Sequence, residues 1–133
     1  VDRNYLKQIA VLYQTRIKKL SEIAPETDFF FLKDIKYPKE LLIWKDFEVK
    51  EIKTQLEKLQ NVLFEISEAK WSKEEIEKKV LEKANRLKDR GVMLWPFRVA
   101  LTGKKGSAGP FEIAAILGKE KTLQRIKKAI SLL

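Results

Sequence analysis

The stretch that decides the fold is Trp95-Pro96-Phe97-Arg98-Val99-Ala100-Leu101-Thr102-Gly103-Lys104-Lys105-Gly106-Ser107-Ala108-Gly109-Pro110-Phe111-Glu112-Ile113. Two apolar runs, each opened by a proline, flank a loop from Gly103 to Gly109 that holds three glycines and two lysines. Proline is pre-set for the first helical position, where a missing N–H costs nothing. Glycine suits the left-handed residue just past a helix end. The spacing therefore predicts a short helix from Pro96 to Thr102 stopped by Gly103, and another from Pro110 to Leu117 stopped by Gly118. Lys119 then opens a last helix, with Leu123, Ile126, Ile130 and Leu133 on one face and Lys121, Arg125 and Lys128 towards another.

Upstream the same periodicity continues. Ser72-Lys73-Glu74-Glu75 is a capping box, with Trp71 and Ile76 placed as a hydrophobic staple. Its helix runs through Val80, Ala84 and Leu87, and Gly91 is expected as the left-handed residue beyond it. Val49, Ile52, Leu56, Leu59, Leu63 and Ile66 mark a longer helix, on the order of 30 Å at ~1.5 Å per residue, which Asp46 can cap. Leu41 to Trp44 is an apolar run that fits either a turn of helix or a buried extended segment. Phe29, Phe30 and Phe31 cannot all face water and are expected to plug a seam between helices. Leu6, Ile9, Ala10, Tyr13, Ile17 and Leu20 define a first amphipathic helix, followed by a break or a short helix at Ser21–Thr27. Strand alternation is nowhere sustained. The expectation is an all-α fold of about six helices in two small units, residues 1–40 and 41–133.

Composition narrows the chemistry. The 133 residues contain no Cys and no His, which removes disulfides, thiolate or imidazole metal ligands and the commonest general base. No segment approaches the ~20 apolar residues of a membrane span, and the N-terminal residues are not a signal peptide. Together these features fit a cytoplasmic protein. The chain starts inside an amphipathic pattern, without an initiator Met, as a fragment would. The formal net charge is +9. Residues 1–97 hold 20 Lys/Arg and 17 Asp/Glu, whereas residues 98–133 hold 8 and 2. Most of the basic excess thus lies in the last quarter, which suggests a polyanionic partner there, although lysine-rich helix faces are also simply solvated.

The helix–glycine loop–helix unit is the candidate site. Backbone amides at the start of the second helix, Pro110 to Glu112, suit a phosphate or a base acceptor. Arg98 stands within reach, with a planar fork that bonds or stacks on a base. The same residues also fit an ordinary helix–loop–helix with Arg98 in a salt bridge. Gly103-Lys104-Lys105-Gly106-Ser107 lacks the spacing and the preceding strand of a nucleoside-triphosphate loop. Glu74, Glu75 and Glu77 read as acids at a helix N-terminus, and Trp44, Trp71 and Trp95 as packing residues. No residue set reads as catalytic, metal-binding or cofactor-binding.

The tail resembles bacterial glutamyl-tRNA synthetases. Trp95 to Gly103 is similar to their "PLR-x-ALTG" stretch, Gly109-Pro110-Phe111-Glu112-Ile113 to "GLFEI" or "SPFEI", and Leu117-Gly118-Lys119-Glu120 with Thr122-Leu123-Gln124-Arg125-Ile126 to "LGKE-x-TL-x-R-I". Arg16 to Glu22 and Thr27 to Phe31 also match in order. The family's "HIGH" and "KMSKS" catalytic signatures are not in this chain. The resemblance therefore implies an anticodon-binding helical cage, with residues 1–40 the remnant of its first sub-domain and 41–133 its C-terminal one. ATP, Mg²⁺ and catalysis would belong to a separate catalytic domain, the chain's partner in the whole enzyme.

Carried over by position, the resemblance implies contacts to the anticodon loop of a glutamate tRNA from Arg16, Arg98, Ser107, Ala108, Gly109 and Pro110, with Lys104 and Lys105 near phosphates. Pro110 stands where many members have Leu. Arg16 aligns with the Arg linked to the third anticodon letter. An all-donor guanidinium satisfies the two acceptors on cytosine's pairing edge and faces the N1 and N2 donors of guanine. A discriminating enzyme that rejects glutamine tRNA is the resulting expectation. A helical protein-interaction or general RNA-binding module is the alternative.

Overall fold

A computed structural model describes residues 3–13 and 28–133. The described residues form six α-helices: α1 (Arg3–Tyr13), α2 (Val49–Glu65), α3 (Lys73–Ala84), α4 (Gly91–Thr102), α5 (Pro110–Leu117) and α6 (Lys119–Leu132). Short 3₁₀ turns at Asp28–Phe30, Lys39–Leu42 and Glu68–Lys70 join them, and there is no strand among these residues. The all-α expectation holds.

The core follows from the periodicity. Ile52, Leu56, Leu59 and Leu63 recur at three- and four-residue steps on α2 and are fully buried. That stripe faces α4 and α6, while α3 lies against α5. Phe97, Leu101, Ile113 and Ile126 complete the same buried cluster. Phe29 and Phe30 enter it with no exposed surface, as a seam plug should, but Phe31 stays 43% exposed with its ring edge-on to Tyr5. On α1, Ile9 is buried, whereas Leu6 is 46% exposed.

Local signals set most helix ends. The Glu75 N–H donates to Ser72 Oγ at 3.2 Å, and the neighbouring Trp71 anchors α3 to α5 by donating to the Ala114 carbonyl at 2.9 Å. Gly103 ends α4 at φ +69°, and Pro110 opens α5.

Three local expectations are corrected. Asp46 does not cap α2; Glu48 is the N-cap, and its N–H donates to the Glu51 carboxylate at 3.1 Å. Gly91 is no left-handed C-cap but the first residue of α4. A Cβ there would lie 2.4 Å from Cε2 of the Trp44 indole, so glycine is needed for close packing. Pro96 does not open its helix, because α4 begins five residues earlier. Burial of Val92 and Met93 on that added turn outweighs the backbone bond that an interior proline forfeits. Trp95 fixes the turn to the Lys39–Leu42 segment by donating to the Leu41 carbonyl at 2.9 Å.

Candidate nucleic-acid interface

The loop from Gly103 to Gly109 is built inward from its ends. Thr102 Oγ1 donates to the Arg98 carbonyl at 2.9 Å and accepts from the Lys104 N–H at 3.0 Å, which turns the chain out of α4. Gly103 is needed there twice over. Its φ is positive, and a Cβ would stand 3.2 Å from the Tyr37 ring. At the far end the Gly109 N–H donates to the Glu112 carboxylate at 3.2 Å. The α5 start predicted to receive an anion thus already carries a carboxylate.

Arg98 spans the middle. Its Nη1 donates to the Ser107 carbonyl at 2.7 Å, to Ser107 Oγ at 3.1 Å and to the Ala108 carbonyl at 3.3 Å. The guanidinium is therefore a brace for the loop it was expected to work beside. A cation bonded to carbonyls holds the backbone more firmly than a neutral donor would. Ser107 and Ala108 are buried, at 7% and 5% exposure, as is Pro110. What the loop presents outward is Lys105 and Gly106. Lys104 forms an ion pair with Asp28 at 3.1 Å. The structure thus gathers Arg98, Ser107, Ala108, Gly109 and Pro110 into one unit. Arg16 lies outside the described residues.

The basic face of α6 turns inward as well. Lys121, Arg125 and Lys128, spaced by four and three, all grip the segment from Phe29 to Ile35. Lys121 Nζ donates to the Phe30 carbonyl at 3.0 Å. Arg125 Nη2 donates to the carbonyls of Phe29 at 2.6 Å and Leu32 at 3.0 Å, and its Nη1 donates to the Leu101 carbonyl. Lys128 Nζ bonds the Asp34 carboxylate and the Ile35 carbonyl, each at 2.5 Å. Arg125 is only 4% exposed, and burial pulls its pKa below the ordinary value. Through it the C-terminal turn of α4, where the loop begins, is tied to the Phe29–Leu32 segment. Sequence reading placed these three residues on a basic surface. Their common helical face was legible, but not the carbonyls that meet it.

Among the described residues no cluster of three or more acidic, His or Cys side chains is arranged to hold a metal ion. No helix among them is long and apolar enough to cross a membrane.

The model of the anticodon binding domain matches residues 1–130. The chain belongs to this family. It is 40% identical to a glutamate–tRNA ligase of Clostridium botulinum strain Eklund 17B, with 96% of the chain and 27% of the relative aligned. A glutamate–tRNA ligase of Clostridium tetani is 38% identical over 94% of the chain and 26% of its own length. The crystal structure of a glutamate tRNA ligase from Elizabethkingia meningosepticum, in complex with its amino acid, shares the fold at a TM-score of 0.79 and 21% identity. That match covers 98% of the chain and 25% of the solved one. The chain thus spans about a quarter of the length of the relatives it matches.

Proposed function

We propose that this anticodon-binding domain reads the anticodon loop of a glutamate tRNA as part of a cytoplasmic glutamate–tRNA ligase. ATP and Mg²⁺ act on that enzyme's catalytic domain, and this domain needs no cofactor. The observation that carries the reading is the Arg98-braced loop, which stands within a chain 40% identical to a glutamate–tRNA ligase. Unstacked anticodon bases are recognised by backbone groups, guanidinium planes and apolar contacts. Because the Ser107, Ala108 and Pro110 side chains are buried, recognition by residues 107–110 runs mainly through backbone groups and Gly109. Arg98 holds those groups in place, and any base it contacts competes with the carbonyls of Ser107 and Ala108. Arg16 supplies the preference for cytosine over guanine at the third letter.

The test is titration of the chain with two stem-loops that carry glutamate and glutamine anticodons. The expected result is tighter binding of the glutamate stem-loop, a preference lost in Arg16→Ala, and weaker binding of both stem-loops by Arg98→Ala. Equal affinity for the two stem-loops, unchanged by either substitution, would sink the reading and favour a protein-interaction module.

A further inference from the structure

A second surface, remote in sequence from the Arg98 loop, gathers positive charge that makes no ion pair among the described residues. Two adjoining grooves run along α2 and α3 and share Val62, Glu65 and Lys83 in their walls. Their volumes are about 420 and 670 Å³. Six cations line them: Lys58, Lys70, Lys78, Lys79, Lys83 and Arg86. Against these stand three carboxylates, Glu65, Glu75 and Glu82, which leaves the groove basic.

All six cations are exposed. None makes an ion pair within 4.0 Å of a carboxylate among the described residues, although Lys78 and Glu82 lie one helical turn apart. Five of the eight cations of the tail are instead engaged internally: Arg98, Lys104, Lys121, Arg125 and Lys128. The charge count along the sequence therefore points to the wrong end of the molecule for a phosphate-tracking surface.

We propose that the α2–α3 groove is a phosphate-backbone binding surface for single-stranded or looped RNA, separate from the Arg98 loop and indifferent to base identity. The shape favours RNA over a lipid surface, because a concave channel between two helices fits a strand and not a plane. From Gln55 to Glu65 the α2 wall is about 15 Å long, long enough to face more than one phosphate of a single strand. Exposed lysines bind phosphates by releasing condensed counterions, so the interaction is steeply salt-dependent and reads no sequence.

The experiment uses the full chain and a fluorescein-labelled decauridylate, titrated between 50 and 200 mM KCl. Lys78→Ala combined with Lys83→Ala is expected to flatten the slope of log affinity against log salt by about 1.4, from ~0.7 per phosphate contact in a single strand. The loss of affinity between the two salt concentrations then becomes roughly sevenfold smaller. Lys105→Ala combined with Lys127→Ala, the exposed tail pair, should move the slope less. An equal or larger effect from the tail pair, or no effect from the groove pair, overturns the proposal. So does retention of the double variant's defect only on phosphatidylserine vesicles and not on decauridylate. Decauridylate contains no anticodon, so Arg98→Ala and the two stem-loops report on the proposed function independently.

Discussion

The inner face of α6 and the outer walls of α2 and α3 are both rich in basic residues, yet they spend that charge in opposite ways. On α6 the cations at 121, 125 and 128 are bonded to carbonyls and a carboxylate of the 29–35 segment. On the outer walls of α2 and α3 the groove cations Lys58, Lys78, Lys79 and Lys83 stand in water without ion partners among the described residues. The difference teaches that basic composition is not basic surface. A buried guanidinium with several carbonyl acceptors is a structural strut, because removing it would strand polar atoms in the core. An exposed ammonium holds its charge in reserve for a polyanion.

The sharpest way to break this comparison is Arg125→Met. It leaves the carbonyls of Leu101, Phe29 and Leu32 without their donor, and about 3 kcal/mol of stability should be lost in urea unfolding. Arg98→Ala should cost less, about 1–2 kcal/mol, because Arg98 is only half-buried and the Ala108 carbonyl keeps the Ser107 hydroxyl as a donor at 2.9 Å. Hydrogen exchange should rise first in residues 103–109, since the brace is local. A uniform rise across α2 would show that the loop is no independent unit.

Two pH experiments sharpen the strut. Lys128 holds the Asp34 carboxyl below its usual pKa, chiefly through their hydrogen bond. A depressed folded value means that this contribution is complete above the ordinary carboxylate pKa and disappears as pH falls through the lower, folded one. Asp34→Asn should therefore flatten the acid limb of the stability profile relative to the parent chain. At the other extreme, burial pushes the Tyr37 phenol up to about 12. Its raised value makes stability fall as pH climbs from the ordinary tyrosine value towards 12, and Tyr37→Phe should remove that component. Ultraviolet difference absorbance of the phenolate follows it directly. The smallest effect belongs to the groove: Lys78→Ala with Lys83→Ala should leave stability within ~0.5 kcal/mol of the parent, as surface changes do.

Legibility in the sequence followed the range of the interactions. Gly103, Pro110, Gly118 and Ser72 mark helix ends by properties of one or two turns, and each of those ends is where the sequence puts it. Gly91 and Pro96 misled for the same reason in reverse. Both look like punctuation, but the approach of Trp44 and the burial of Val92 and Met93 come from residues distant in the chain. At the candidate site, the grouping of Arg98 with residues 107–110 was visible as a spacing. The direction of the Arg98 guanidinium, into the loop, was not.

The sequence by itself determined an all-helical chain, its apolar stripes, its glycine and proline boundaries and, through the 95–126 motifs, its family. Each depends on local geometry or on a pattern that survives without coordinates. Only the tertiary structure decided which cation meets which acceptor. Arg125 reaches Phe29 across 96 residues of chain and Lys121 reaches Phe30 across 91. A charged side chain carries no mark of its partner, because a guanidinium is satisfied equally by a phosphate, a carboxylate or a carbonyl, and packing brings only one of them near.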